Sequence, residues 1–336
     1  MSKVVYLMGA GASCGKRNNE SGVPIVTDIP KQLLGLSNQL KLANWTVDES
    51  EYARDGVTSI PMYDAQKELS EDLKWLSEES SEPATIDTYA RKLFLKKDFE
   101  KYNRLKRTLA SFLLLEQKKN KSDSRYEAFL ANILTDDLEI PDDITIVTWN
   151  YDSQFEIALN EFGVQYDNLK ESPICLSSYD NLKNDNRYKI FKINGSASFD
   201  DDIPISKFCT SGFQDLIFNE NKKDIVWYHA NKKLETCLSF AWGKSTSNFF
   251  YKTLEREVKE TQVLVVIGYT FPYFNRVVDR WLFRIMENLH TIIIQDPYAE
   301  KVKVGLQNTF PSPQLLNGIK IDPQTYVEQF IIPREL

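Results

Sequence analysis

The sequence predicts an α/β fold in which a doubly wound parallel sheet has a helical insertion. Short apolar runs rich in β-branched residues recur along the 336-residue chain, and each precedes a segment with helical spacing. The runs are mainly apolar rather than alternating, which is typical of strands that helices cover on both faces. Alternation of such strands with helices favours a sheet whose strands all end at one ligand-binding edge.

Five mainly apolar runs are the predicted strands, and small or polar residues lie at or just after the end of each of them. In chain order they are residues 4–8, 144–148, 189–193, 263–267 and 291–294. Right-handed crossovers between parallel strands bring the carboxyl ends to the same edge of the sheet. We therefore expect the residues that follow the strands to lie close together.

Residues 41–139 are rich in Leu, Lys and Glu, and we predict that they form the helical insertion. Within them, residues 86–118 have the spacing of one or two amphipathic helices. The Ser- and Glu-rich residues 77–82 are predicted to form a solvated loop. Because a single core stops growing near about 250–300 residues, we predict two parts. These are a sheet domain of residues 1–40 and 140–336 and a helical subdomain of residues 41–139.

The composition argues against several classes of protein. The chain has 41 Lys and Arg against 48 Asp and Glu, a net charge of −7, which disfavours direct nucleic-acid binding. Its four cysteines form no CxxC pair and neither histidine, His229 or His290, follows a predicted strand, so we predict no metal site. No apolar run approaches the ~20 residues of a membrane span. We expect a cytoplasmic protein that binds no membrane.

A glycine-rich turn, Gly9-Ala10-Gly11-Ala12-Ser13, follows the first strand. Small residues let a backbone approach a phosphate closely, and the N-terminus of the next helix offers N–H groups and a positive dipole end. The complete G-x-G-x-x-G fingerprint is absent, because a cysteine follows Ser13. A glycine turn that only links strand to helix stays open as the alternative.

Polar side chains follow the second predicted strand, at Thr148, Asn150 and Asp152. Asn and Asp are also good caps for the helix that comes next, so capping and function both stay open for Asp152. Asn150 lies between two large aromatic residues, Trp149 and Tyr151, and we prefer a functional interpretation for it.

The remaining strands end in the same manner, with Asn194-Gly195, then Gly268 and Thr270, and finally Asp296. Each of these segments could be only a turn that ends its strand. Because small and polar residues weaken sheet packing without a structural gain, their recurrence at one edge favours a ligand site. An acidic residue after the last strand can accept hydrogen bonds from a ribose diol, as in dinucleotide-binding folds. The alternative for Asp296 is an ordinary Asp-Pro loop start.

These motifs, in this order, resemble those of the sirtuin-like family. They are GAGAS at residues 9–13, SGVP at 21–24, T-x-N-Y-D at 148–152, the strand-ending N-G-S at 194–196 and GYT at 268–270. With I-D-T-Y at residues 86–89, the chain is similar more narrowly to bacterial stand-alone members associated with anti-phage defence. The resemblance implies a Rossmann-like domain that uses NAD as its substrate, with hydrolysis to ADP-ribose and nicotinamide.

The resemblance also implies roles for individual residues. Asn150 would lie beside the nicotinamide ribose, hold the attacking water or polarise the ribose, and be required for cleavage, while Asp152 would order the pocket or contact nicotinamide. Gly268, Thr270 and Asp296 would bind a phosphate or the adenine-side ribose. The pyrophosphate and ribose would lie against Gly9, Ala10, Gly11 and Ser13, and Thr148 and Gly195 complete the predicted nucleotide-binding set.

The chain departs from the family at two places. Asn194 stands where the family usually has histidine, and an amide cannot act as a general base, whose help gives about 10²–10⁴-fold in rate. Asn194 can still orient a water, so we group it with Asn150 and Asp152 as a catalytic candidate. The paired cysteines of the zinc ribbon found in deacylating sirtuins are absent, so deacylation is not expected.

The residues and the resemblance leave two main hypotheses. The first is an NAD+ glycohydrolase that is kept silent until a trigger or partner acts, with the helical insertion as its gate. The resemblance implies a homo-oligomer, or an ATPase or Argonaute-like partner. The alternative is a catalytically silent sensor or scaffold that binds NAD or ADP-ribose, and Asn194 favours it. A Rossmann oxidoreductase is disfavoured by the missing third glycine.

Overall fold

A computed structural model gives the structure of the protein, and it describes most of the chain. The described residues are 2–15, 22–42, 51–53, 59–81, 85–119, 122–164, 173–177, 188–199, 225–226, 228–240, 242, 249–310 and 316–336. Two compact units are present. Unit 1 comprises residues 1–22, 122–196 and 239–336, and unit 2 comprises residues 23–121 and 197–238.

Strands and helices are numbered here in chain order. The strands are β1 (Val4–Met8), β2 (Glu51–Ala53), β3 (Ser59–Pro61), β4 (Ile144–Thr148), β5 (Ile174–Leu176), β6 (Ile190–Lys192), β7 (Gly195–Phe199), β8 (Thr236–Leu238), β9 (Val263–Ile267), β10 (Thr291–Gln295) and β11 (Lys320–Gln324). The helices are α1 (Ala10–Ser13), α2 (Ile29–Leu42), α3 (Met62–Ser81), α4 (Ile86–Leu95), α5 (Phe99–Lys119), α6 (Ser124–Ile133), α7 (Gln154–Glu161), α8 (Phe249–Val258), α9 (Arg276–Ile285) and α10 (Ala299–Thr309). Among the residues placed, no helix is long and apolar enough to cross a membrane.

Unit 1 is built on a seven-stranded parallel sheet with the order β11-β10-β9-β1-β4-β6-β5. The chain adds strands on one side of β1 and then returns to add β9, β10 and β11 on the other side. Right-handed crossovers then place helices on opposite faces, so this is a doubly wound, Rossmann-like α/β sheet and the predicted fold class is confirmed. The direction of winding reverses between β1 and β9, the topological switch point.

The predicted strands agree closely with the observed ones. Three have the predicted bounds, while β6 is shorter by one residue at each end and β10 extends to Gln295. Their central residues are fully buried, as continuous apolar runs predict. Two strands of the sheet were not predicted. They are β5, which has three residues, and β11, whose Pro323 and exposed Lys320 suit only an edge strand.

The predicted loop at residues 77–82 is wrong over Ser77–Ser81, because these residues form the last turns of α3. Their hydroxyl groups explain the difference. Ser77 donates to the carbonyl oxygen of Pro30 at 2.7 Å, and Ser81 donates to the carbonyl oxygen of Ser77 at 2.6 Å. Serine hydroxyls that bond to backbone carbonyls let a polar run continue a helix and even be buried. Residue 82 lies outside the described residues.

Unit 2 contains the helices α2 to α5 and has its own buried polar cluster. His229 is fully buried, with Nε2 2.9 Å from Asp72 Oδ2 and Nδ1 3.1 Å from Ser111 Oγ. Arg104 donates from Nε to the same Asp72 carboxylate at 2.8 Å.

The predicted amphipathic segment at residues 86–118 forms two helices, α4 and α5.

The bounds of the two units differ from the predicted domain division. The predicted helical subdomain, residues 41–139, includes α6, which lies in unit 1, whereas α2 before it lies in unit 2. Residues 197–238 also join unit 2, which no local pattern in the sequence indicated.

Candidate functional site

The strand ends of unit 1 are level with one another. Met8 at the end of β1 pairs with Thr148 and Ile267, and these in turn pair with Lys192 and Gln295. The residues after these strand ends are therefore brought to one edge of the sheet, as expected. Between β6 and β10 lie four inter-strand spacings, about 19 Å, so only an extended ligand could reach both ends of this edge.

At the centre of this edge, the turn after β1 (residues 9–13, called the β1 turn below) lies in close contact with the end of β9. Gly9 N–H donates to Ile267 O at 3.0 Å, and Gly11 N–H donates to Gly268 O at 2.9 Å. Gly268 has φ +59°, and a Cβ there would lie 2.3 Å from Ala12 N. Only glycine allows this approach. The turn glycines therefore serve a structural purpose at the switch point, whatever ligand they meet.

This contact limits which N–H groups of the β1 turn are available to bind a phosphate. The N–H groups of Gly9 and Gly11 already donate to protein carbonyls, so they cannot also be the donors of a phosphate cradle. The next helix, α1, has four residues, and Gly15 with φ +78° comes directly after its C-cap. The turn therefore leads into a single short helical turn, which supplies less of the positive dipole expected at this helix N-terminus. Ala10 and Gly11, which are half-buried, are the accessible part of the turn.

Asn150 joins the ends of β4 and β1. Its Nδ2 donates to Gly9 O at 2.9 Å and to Ser13 Oγ at 3.0 Å, and its N–H donates to Thr148 Oγ1 at 3.0 Å. Both amide hydrogens are thus used within the protein. This fixes the plane of the amide and leaves Oδ1 as the atom with which Asn150 can meet a ligand.

Asp152 caps the next helix, and its side chain also stays accessible, so capping does not exclude a function for it. One carboxylate oxygen accepts from Gln154 N–H at 3.2 Å, at the start of α7, while the side chain stays half-buried at the edge. Burial raises the pKa of the Asp152 carboxyl above its ordinary value, and Lys192, Ser13 and the Gln154 N–H oppose that rise. A carboxyl that caps a helix and has a raised pKa is a candidate proton acceptor.

Lys192 is a functional candidate that sequence reasoning missed. Its buried ammonium group donates to Glu156 Oε1 at 2.7 Å, to Ser196 Oγ at 3.3 Å and to the carbonyl oxygen of Asp152. It therefore joins the loop after β4 to the segment after β6. A lysine within an apolar strand, two residues before Asn194, is the signal that could have identified it, since a buried lysine needs a partner.

Asn194 is buried, and its Nδ2 donates to the carbonyl oxygen of Trp149 at 3.1 Å. Gly195, next to it, has φ +72°, which favours glycine. Asn194 therefore supports the segment that positions Asn150. Its predicted part in catalysis stays a prediction.

The far side of the edge is formed by the residues after β9 and β10. Thr270 is exposed, and Asp296 is buried with Oδ1 accepting from Tyr298 N–H at 2.8 Å. This bond is the loop-start arrangement that the sequence left open for Asp296. Beneath the edge, the Tyr269 ring stacks on Trp149 with centroids 5.7 Å apart.

Two neighbouring residues of α6, Arg125 and Tyr126, also support the β1 turn, and neither was predicted to do so. The Tyr126 hydroxyl lies 2.7 Å from Ser13 Oγ. The buried Arg125 donates from Nη2 to Ala12 O at 3.0 Å and pairs with the carboxylate of Asp123. The sequence did not identify Tyr126, because nothing in the local pattern distinguishes a core tyrosine from one whose hydroxyl meets a distant turn.

The arrangement suits a nucleotide better than a metal ion. Small residues, a fixed amide and a carboxyl group meet at a topological switch point, where open α/β sheets bind ligands. Within the described ranges, no group of three or more His, Cys, Asp or Glu side chains is placed to hold a metal ion.

Comparison with known proteins agrees with this geometry. A family model described as a SIR2-like domain matches residues 144–310. The match begins at β4 and includes Asn150, Asp152, Asn194, Gly268 and Asp296. It supports a sirtuin-like family and, because SIR2-like domains use NAD, an NAD-related activity. No curated protein matches the chain.

Proposed function

We propose that the protein hydrolyses NAD+ to ADP-ribose and nicotinamide at the edge formed by Asn150 and the β1 turn. The observation that carries the proposal is the fixed amide of Asn150, with both hydrogens bonded to Gly9 O and Ser13 Oγ at the switch point. Preorganised dipoles of this kind stabilise charge that develops in a transition state without reorganising. Oδ1 would face the ribose carbon from which nicotinamide departs.

The reaction exchanges one bond at that carbon. The bond between ribose C1′ and the nicotinamide nitrogen breaks, and its electron pair leaves with nicotinamide, which becomes neutral. A water oxygen bonds to C1′ and loses one proton. We assign that proton to the Asp152 carboxylate, because Asn194 has no protonation change near neutral pH and the raised pKa of Asp152 makes it a better base than an ordinary carboxylate.

The central test uses purified full-length protein, NAD+ and chromatographic detection of free nicotinamide, with and without candidate activators. We expect release by the unmodified protein and a loss of about 10²–10³-fold in Asn150→Ala. Asn288→Ala is the matched control, since Asn288 is an exposed amide just before β10, at the opposite edge of the sheet, bonded to Glu260. Equal release by Asn150→Ala and the unmodified protein would remove Asn150 from the mechanism.

A second candidate function is a silent sensor or scaffold that binds NAD or ADP-ribose. Two observations favour it: Asn194 stands in place of a histidine base, and its amide donates to the Trp149 carbonyl oxygen, which is a structural use of the side chain. Binding of ADP-ribose measured by calorimetry, without nicotinamide release under any activating condition, would favour the sensor.

We extend the proposal to anti-phage defence in the cytoplasm, with activity gated by the helical insertion, residues 41–139. Gating by a homo-oligomer, or by an ATPase or Argonaute-like partner, rests on the resemblance to the sirtuin-like family. Measurement of cellular NAD+ before and after phage infection, in cells with the unmodified protein or Asn150→Ala, tests this extension.

A further inference from the structure

The side chain of Tyr126 lies behind the candidate site, between aromatic neighbours that hold it in one position. Its ring packs edge-to-face on Phe155 and Phe330, with centroid distances of 4.8 and 5.1 Å. Its hydroxyl lies 2.7 Å from Ser13 Oγ, which is 113 residues earlier in the chain. The tyrosine is almost fully buried, so the bond is shielded from water.

The hydrogen atoms around Ser13 can be assigned from the donors present. Ser13 Oγ has one hydrogen of its own, and the Asn150 Nδ2 at 3.0 Å can only donate to it. Ser13 also lowers the pKa of the Asp152 carboxyl, which is the effect of a hydroxyl hydrogen directed at the ionised carboxylate. The single Ser13 hydrogen therefore points to Asp152. Either oxygen could donate in the bond between Tyr126 and Ser13, and a Ser13 hydrogen directed at Asp152 leaves Tyr126 as the donor.

Tyr126 suits that role because it stays protonated. Burial, and then the negative charge of Asp152, raise the pKa of the Tyr126 phenol well above its ordinary value. The result is a directed chain from the Tyr126 O–H to Ser13 and from the Ser13 O–H to Asp152. Hydrogen bonds arranged in one direction strengthen one another in a protein interior.

We propose that Tyr126 is a positioning residue that acts through Ser13, directing the Ser13 hydroxyl at Asp152 while Ser13 holds the Asn150 amide. The inference rests on the proposed function, because it concerns the same site. It adds a residue that neither the motifs nor the family match includes, since Tyr126 lies before residue 144.

Other charged groups face Asp152 and set the background for this effect. Lys192 on β6 lowers the pKa of the Asp152 carboxyl, and Glu156 on α7 raises it. On α6, the Arg125 guanidinium next to Tyr126 is paired with Asp123. These groups bond to atoms other than Ser13 Oγ, so removal of the Tyr126 hydroxyl changes the Ser13 bond and leaves the surrounding charges in place.

Tyr126→Phe is the test, and Tyr6→Phe is its matched control. Tyr6 is fully buried in β1, packs edge-to-face on Phe129 of the same helix α6, and its hydroxyl has no hydrogen-bond partner among the residues that the structure describes. Each variant thus removes one buried phenol oxygen beside α6, but only one of them removes a bond to Ser13.

We expect Tyr126→Phe to lower kcat for nicotinamide release about tenfold while KM changes less than about twofold. Without the Tyr126 donor, the Ser13 hydroxyl is less polarised and stabilises the Asp152 carboxylate less, so the acidic limb of the kcat profile should move to higher pH by about half a pH unit or more. Tyr6→Phe should leave both unchanged. In a Ser13→Ala background, Tyr126→Phe should have little further effect, because its action passes through Ser13.

A second measurement separates failure of this inference from failure of the proposed function. In the unliganded protein, amide hydrogen exchange of residues 9–15 and 148–152 should become faster in Tyr126→Phe and stay unchanged in Tyr6→Phe. If the unmodified protein releases no nicotinamide, the proposed function fails while the exchange result still decides the role of Tyr126. Equal exchange in both variants, or an equal fall of kcat in both, would overturn the inference.

Discussion

Two polar clusters in this protein contain similar residue types but differ in their access to solvent. The rim cluster consists of Ser13, Tyr126, Asn150 and Asp152 in unit 1, and the helix cluster consists of Asp72, Arg104, Ser111 and His229 in unit 2. The helix cluster has the Ser-His-Asp composition of a hydrolase triad, yet Ser111 and His229 are both 0% exposed. Asp152 and Gly11, in contrast, are half-buried at an open edge. The residue types of a cluster therefore do not by themselves identify a reactive site, because a ligand must also be able to reach the side chains.

Asp72 in the helix cluster and Asp152 in the rim cluster have pKa values that are shifted in opposite directions. For Asp72, burial favours the neutral form, but hydrogen bonds from His229 and Arg104 outweigh it and hold the pKa below its ordinary value. For Asp152, burial prevails and the pKa is raised. Asp72 is a fixed anion that stabilises the helices, while the raised pKa of Asp152 suits the proton transfer that we propose for it.

The largest effect on the free energy of unfolding is expected at Gly268, whose backbone contacts the turn that contains Ser13 of the rim cluster. Gly268→Ala places a Cβ 2.3 Å from Ala12 N at a φ of +59°, so we expect a loss of about 4 kcal/mol in the free energy of unfolding, measured by urea denaturation. Gly35→Ala is the control: Gly35 lies within α2 with nothing near its added Cβ, and alanine there should stabilise by up to about 1 kcal/mol. A mild effect of Gly268→Ala would mean that the two strand ends are less close than described.

Asp72→Asn tests the helix cluster and should lower the free energy of unfolding at neutral pH by about 2–3 kcal/mol, because Arg104 and His229 lose their anion. The folded-state pKa of Asp72 is depressed, so its contribution is present above the unfolded value of 3.8 and is lost as pH falls through the lower folded value. The gap between Asp72→Asn and the unmodified protein should therefore narrow at acid pH. The rate of nicotinamide release per folded molecule should not fall, and a clear fall would give the helix cluster a part in the chemistry.

The smallest effect on stability, and the sharpest contrast, is expected from the two serines. Ser13→Ala and Ser111→Ala each remove buried hydroxyl bonds and should cost about 1 kcal/mol in the free energy of unfolding. Only Ser13→Ala should also lower nicotinamide release, by about tenfold, since Ser13 bonds to Asn150. Equal nicotinamide release by Ser13→Ala and Ser111→Ala would contradict the assignment of only the rim cluster to the reaction.

Much of the fold and part of the site could be predicted from the sequence. Continuous runs of mainly apolar residues identified the five central strands, because burial on both faces favours apolar side chains at most of their positions. The parallel topology then brought Gly9, Asn150 and Gly268 to one edge. The end of α3 could not be predicted, since a polar run indicates a loop unless the carbonyl groups that its hydroxyls meet are known.

The sequence by itself determined the strands, the single edge at which they end, and which small and amide-bearing residues follow them, because these depend on local patterns and on the fixed hand of parallel crossovers. Only the tertiary structure decided how those residues are used. The bond between Tyr126 and Ser13 joins residues 113 apart, and that between Asn150 and Ser13 joins residues 137 apart. Such bonds have no period or spacing in the chain, because they arise only when separate elements pack and each buried donor must find an acceptor.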